Sequence, residues 1–196
     1  MIELPAWAVP NAASPSLIDA GGVMRSPINT VALKVNRPGS HYRVAMSFPP
    51  FEPEQGRVIV SRLIRAQREG LRVPFELPEP QAGTTDGAVR GNGQAGRFLA
   101  ADGLTPGALL REGWWLSIVN QAGHHFLHNS AADAVVDDNG RVTLELSEAL
   151  RWPFVSGAAV QIVTPMIEGL VDGSVRDWQL SVEQLTEIAF VIEEAR

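Results

Sequence analysis

Three of the four histidines, His124, His125 and His128, stand within five consecutive residues and are the closest approach to a reactive cluster in the chain. On a helix His124 and His128 would share a face and could hold one metal ion together. Gly123 precedes them and Phe126-Leu127 reads as strand, which leaves the two histidines two steps apart along one strand face. No nearby carboxylate completes a site and no HExxH motif is present, so a structural or surface role is expected and no metal site. Asp133, Asp137 and Asp138 beside Asn139-Gly140 have the composition of a calcium loop without its register. A hairpin turn accounts for them better, because an Asn-Gly pair tolerates the positive φ such a turn requires. Gly91-Asn-Gly-Gln-Ala-Gly96 spells GxGxxG, but no βαβ unit surrounds it and Arg97-Phe98-Leu99-Ala100 reads as strand. A β-bulge or turn is expected there, and no cofactor. No GxSxG elbow links a serine to a base, and Glu52 with Glu54, or Glu193 with Glu194, suits a helix start and a solvated terminus. The residues therefore offer no catalytic group, no metal ligand and no cofactor-binding residue, and the chain is expected not to be an enzyme.

What remains suits contact rather than reaction. Trp114 and Trp115 are adjacent, so on a strand they point to opposite faces. Either one fills a core while the other faces a partner or a sugar ring, or both lie in a strand buried on its two sides. Trp152 and Trp178 read as core or interface anchors. Arg57, Arg62, Arg65 and Arg68 flank Val60, Leu63, Ile64 and Gln67, which form one helical face. Those arginines are either screened by solvent or candidate interface residues, in which case Glu52, Glu54, Glu193 and Glu194 would be their counterparts on a neighbouring copy.

The positioning elements follow from composition. The 196 residues can bury a core without staples, and the absence of cysteine excludes disulfides and thiolate chemistry. Fourteen prolines and eighteen glycines imply many short elements. The net charge of −6 argues against a nucleic-acid coat, no stretch is long enough to span a membrane, and Met1–Ala12, broken by Pro5 and Pro10, does not read as a signal peptide. Lys34 is the single lysine among sixteen basic residues, a bias toward arginine that is typical of interfaces but also follows from GC-rich coding.

Val31, Leu33 and Val35 alternate with polar residues, Arg37-Pro-Gly-Ser turns the chain, and Tyr42, Val44, Met46 and Phe48 alternate again, which predicts a hairpin. Pro53 and Glu54 open a helix over Gln55–Glu69 that Gly70 ends. Leu71–Leu77 reads as a returning strand and Pro78–Gly87 as a loop. Short strands are then expected around Val89, Phe98–Leu99, Trp114–Val119, His125–Asn129, Val142–Leu146 and Ala159–Val163, enough for a small barrel or sandwich. Val175–Val182 and Ile188–Ile192 read as longer strands that return to the first hairpin, with Glu183–Thr186 between them. The expected fold is mainly β with one α-helix: a β-sandwich-like first domain of hairpin, helix and C-terminal strands, with a small β-barrel inserted into it.

The run Gly103-Leu-Thr-Pro-Gly107, then Leu110–Ile118, then Gly123-His-His-Phe-Leu-His128 resembles the middle barrel of bacteriophage and prophage tail proteins. The likeness continues through Asp138–Leu146, Ala149-Leu-Arg-Trp-Pro153, Pro165–Gly169 and Phe190–Glu194, and covers most of the chain from Val31. Ser147-Glu148 departs from it where a proline before Ala149 is the family's habit. The chain thus resembles the distal tail proteins from Val31 onward, with a discontinuous ring-forming domain (31–80 with 171–196) and a barrel (84–170); residues 1–30 match nothing in the family and are read as an N-terminal extended arm that ties to a neighbour. The resemblance implies a structural virion protein at the tail tip, made in the host cytoplasm. Its partners would be itself, in a ring homo-oligomer taken as a hexamer, the tail tube protein, and hub or fibre proteins, with no specific nucleic acid and no membrane insertion. A carbohydrate-binding β module, with Trp114 or Trp115 as sugar platform, is the alternative, and a wall hydrolase is a third reading without a coherent acid, base or nucleophile set.

Overall fold

The computed structural model describes residues 1–25, 32–35, 39–75, 81–172, 179–180 and 185–194. In chain order its strands are β1 (Ile2–Glu3), β2 (Ala12–Ile18), β3 (Gly22–Arg25), β4 (Ala32–Val35) and β5 (His41–Ser47), followed by α1 (Pro53–Glu69), the one helix among the described residues. After the helix come β6 (Leu71–Pro74), β7 (Gly87–Val89), β8 (Gln94–Asp102), β9 (Leu109–Leu110), β10 (Trp115–Val119), β11 (His125–Asn129) and β12 (Ala134–Val135). The chain closes with β13 (Val142–Phe154), β14 (Ala159–Gln161), β15 (Met166–Val171), β16 (Gln179–Leu180), β17 (Thr186–Glu187) and β18 (Ala189–Glu193). The fold is mainly β with one helix, as the short apolar runs predict.

One six-stranded sheet runs β1-β6-β15-β18-β5-β2. Only β1 and β6 pair parallel; the other neighbours are antiparallel. β5 buries Tyr42, Val44 and Met46 at alternate positions, as a central strand with one face on the core must. α1 lies across β1, β6 and β15, burying Gly56, Ile59, Leu63 and Ala66. Gly169 is dictated by close approach: a Cβ there would stand 1.9 Å from the Glu193 carbonyl oxygen on β18.

The second six-stranded sheet runs β11-β10-β14-β7-β8-β13, and a bridge between Ser130 and Leu146 brings its two ends together into a nearly closed barrel. Its interior is filled by Leu99, Leu110, Leu116, Ile118, Phe126, Leu144, Leu146, Phe154, Val160 and Ile162, among others. All six strands lie in the chain between β6 and β15, which are neighbours in the first sheet, so the barrel is spliced in between two adjacent strands. The turn at Asp137–Gly140 closes with the Gly140 amide donating to the Asp137 carbonyl at 3.0 Å, and Gly140 has φ +74°. Across from Gly96 and Gln94 the register of β13 shifts twice, a bulge opposite the glycine-rich segment.

Four expectations require correction. β4 does not pair with β5: it pairs with β3, while β5 is flanked by β2 and β18. A strand as deeply buried as β5 needs neighbours on both edges, and Ala12–Ile18, with Pro15 tolerated on an edge strand, supplies one. Residues 2–18 are consequently no free arm, since β1 and β2 form the two edges of the first sheet. The return from the barrel comes earlier than residue 171, because Met166–Val171 already pairs with Leu71–Pro74. The buried helix face is Gly56, Ile59, Leu63 and Ala66 instead of Val60, Leu63, Ile64 and Gln67. Small residues let the helix sit close to its support, and a Cβ at Gly56 would lie 2.5 Å from the Thr186 hydroxyl. Val175, Trp178, Val182 and the linking residues 183–184 lie outside the described residues, as do residues 76–80 of the expected strand and loop and Arg37-Pro38 of the expected turn.

Candidate functional site

The chemistry-bearing side chains gather along the seam where β11 of the barrel meets β15 and β18 of the first sheet. β11 is covered on both sides: Phe126 packs with the barrel core and Leu127 with the core of the first sheet. Glu168 on β15 has a buried carboxylate that accepts from Arg72 at 2.7 and 2.9 Å and lies 2.6 Å from Nδ1 of His124. Burial pushes its pKa up, but the Arg72 and His124 hydrogen bonds outweigh that and hold it below the usual carboxylate range. Arg72 also donates to the Gly123 carbonyl at 2.6 Å, so one guanidinium ties both sheets. The expectation that no carboxylate accompanies the histidines is therefore corrected: Glu168, distant in sequence, is brought to His124 by the β15 return.

Glu193-Glu194 is likewise not a solvated terminus. The Glu194 carboxylate is buried, accepts from the amides of Tyr42 at 2.7 Å and Leu127 at 2.8 Å, and pairs with buried Arg151 at 2.7 Å. Glu193 pairs with His41 at 3.1 Å. Gln81 completes the seam: it donates to the carbonyls of Trp115 and Ile162 at 2.7 and 2.6 Å and accepts from the Trp115 amide at 2.6 Å. Nothing in a Pro, Gly and Thr loop singles out this glutamine, so sequence reasoning missed it.

The three clustered histidines do not converge. His124 turns to Glu168 and with His125 lines a cavity of about 260 Å3 shared with Met1, Arg68, Gly70 and Glu168, whereas His128 is fully buried beside Phe154. Burial, then the positive charge of Arg151, pushes the pKa of His128 down to about 3, and His125 is lowered by burial and then by Arg72. Neither ring nitrogen of His128, nor Nδ1 of His125, nor Nη1 of Arg151 has a hydrogen-bond partner among the described residues. A carboxylate aligned on an imidazole, as in Glu168 and His124, supplies two of the three members of a hydrolytic triad. The cavity beside it is lined among the described residues by no serine or threonine that could act as nucleophile. Among those residues no group of three or more His, Asp or Glu is arranged to hold a metal ion, and no helix is long and apolar enough to cross a membrane.

The contact candidates divide. Trp115 lies in the seam, partly buried, edge-on to Tyr42 at 5.0 Å and tilted against Phe75 at 4.8 Å. Trp114 is half-buried against the barrel core. Trp152 is exposed, with one face stacked on Phe126 at 6.1 Å. On α1, Arg62 is held within the chain, donating to the Glu3 carbonyl at 2.5 Å, and Arg65 reaches Glu69 at 3.5 Å across one turn. Arg57, Arg65 and Arg68 are exposed together with Val58 and Ile64. Compared with protein-family models and with curated proteins, the chain matches none.

Proposed function

We propose that this chain is a non-enzymatic structural subunit of a bacteriophage tail tip, similar to the distal tail proteins, that closes into a ring between the tail tube and the hub or fibre proteins. The observation that carries the reading is the β3–β4 ribbon. Met24 pairs directly with Leu33, and the two are 64% and 61% exposed on one face of it. A two-stranded ribbon has little stability of its own, and side chains of this size left open together mark a surface that meets a partner. The exposed β2 edge and the arginine face of α1 point the same way. A net charge of −6 suits a wall around passing DNA that must not hold it.

Six copies are the working symmetry, each repeating one heterologous interface until rotation closes the ring. Electron micrographs of the purified protein test the reading: annular particles of uniform size are expected, and a field of single subunits at every concentration would contradict it. A carbohydrate-binding role has one observation in its favour, the exposed Trp152 with its packed underside, and a glycan array read with wild type and Trp152→Ala distinguishes it.

A further inference from the structure

Two exposed faces, far apart in sequence, combine large apolar side chains with charges of opposite sign. The first is the outer face of α1, where Arg57, Arg65 and Arg68 lie between exposed Ile64 (51%) and exposed Val58 (42%), which stand ~120° apart around the helix on its two flanks. The second is on the small β9–β12 pair of the barrel. Val135 stands directly opposite Leu109, and the two are 66% and 39% exposed, while their neighbours Ala134 and Leu110 turn inward. Alternation along the strand puts Asp133 and Asp137 on the same outer face as Val135, one on each side of it, and Glu112 and Asp138 are exposed beside them.

The spacings match. Asp133 and Asp137 lie ~13 Å apart at strand rise. Arg57 stands ~12 Å from Arg65 and ~16 Å from Arg68 along the helix axis. Each rim also holds minority charges, Glu54 and Glu69 on the helix and Arg111 and Arg141 at the barrel, which set orientation more than they cancel the sign. Both acidic rim residues are already anchored, because Asp133 accepts from the Glu112 amide at 2.7 Å and Asp137 from the amides of Asn139 and Arg141 at 2.9 and 2.8 Å. Their carboxylates are thus held in place before any partner arrives.

We propose that these two faces bind each other between copies: the arginine face of α1 in one subunit, along its Ile64 flank, seats on the acidic-rimmed Leu109/Val135 face of the next. Different patches meet, so the contact is heterologous and repeats around a ring. This rests on the ring reading and names its interface. Because the Val135 face is acidic and the Ile64 face basic, the earlier partners Glu193 and Glu194 are not needed, and Glu194 is already occupied by Arg151.

The test compares full-length wild type with V135R, I64E and the combined V135R/I64E protein by sedimentation, with circular dichroism as the check on folding. Both positions are exposed, so all four proteins should fold. Wild type should self-associate more weakly as salt rises. V135R sets a cation against the arginine face and I64E an anion against the acidic face, so each should weaken association at least tenfold. The combined protein places the new charges opposite each other and should regain at least half of that loss on a logarithmic scale. Association unchanged in either single variant, or not regained in the combined one, overturns this interface while leaving a ring built elsewhere intact. A wild-type protein that stays single at every concentration overturns the ring reading and the interface with it.

Discussion

Replacing His128 by leucine should remove much of the protein's sensitivity to mild acid at almost no cost at neutral pH. The imidazole is fully buried, edge-on to Phe154 at 6.5 Å, and neither ring nitrogen is hydrogen-bonded among the described residues. Its pKa falls from 6.5 in the unfolded chain to about 3 in the fold, first through burial and then through Arg151. The unfolded chain therefore takes up a proton as pH drops below 6.5, while the folded chain refuses it until about pH 3. Stability is complete above that upper value and declines as pH falls, by about 2 kcal/mol at pH 5 and about 3 kcal/mol at pH 4. His125, lowered by burial and then Arg72, adds in the same direction. Glu168, held below the ordinary carboxylate range, loses its contribution only at lower pH. Leucine is of similar size and brings no polar atom to desolvate, so stability at pH 8 should stay within about 1 kcal/mol of wild type. Urea unfolding at pH 8, 6 and 5, at concentrations too low for association, measures both quantities. The difference in stability between pH 8 and pH 5 should shrink by about 2 kcal/mol in His128→Leu. An undiminished difference, or a loss of about 3 kcal/mol already at pH 8, would refute the reasoning, the latter because it means the ring nitrogens are bonded.

Three further outcomes are expected. Gly140→Val should lower the unfolding temperature by several degrees, since it forces a β-branched residue to positive φ and sets a Cβ 2.7 Å from the Leu104 carbonyl oxygen; an unchanged thermal melt would mean the turn can relax. Arg151→Met leaves the buried Glu194 carboxylate without its cation and should cost about 3–5 kcal/mol in a denaturant melt. Adding Glu194→Gln, which removes the unpaired charge but keeps an acceptor for only one of the Tyr42 and Leu127 amides, should recover part of that loss in the same melt, and no recovery would mean that the charge is not what Arg151 compensates. Gly169→Ala should abolish soluble expression or cost more than about 3 kcal/mol, because β15 and β18 would have to separate to admit the methyl group.

The barrel is the part most legible in the sequence. Each of the six apolar runs expected between Val89 and Val163 corresponds to one of its six sheet strands, because short strands bounded by glycine and proline carry their own punctuation. The helix was legible too, from Pro53 to Gly70, but its buried face was not. Ranking by hydrophobicity favours Val60 and Ile64 over Gly56 and Ala66, whereas the packing selects the residues that let backbones approach. The pairing of β5 with β2 was hidden because Ala12–Ile18, with serines and a proline, has no strand-like alternation and takes its structure from its neighbour. The seam was not legible at all. Arg72 and Glu168 are separated by the whole inserted barrel and Arg151 and Glu194 by 43 residues, and a charged residue that will be buried looks in sequence like one that will not. Of the proposed interface, the arginines could be found in advance; that Arg62 is held by Glu3 while Ile64 is left outside could not.

Native mass spectrometry of the purified full-length chain tests most directly the claim that it is a ring-forming structural subunit. The account predicts one dominant species at a single integer multiple of the subunit mass, six in the working symmetry, that persists on dilution and gives way to single subunits as salt rises. Single subunits at all concentrations, or an open ladder of multiples with no preferred size, would contradict it.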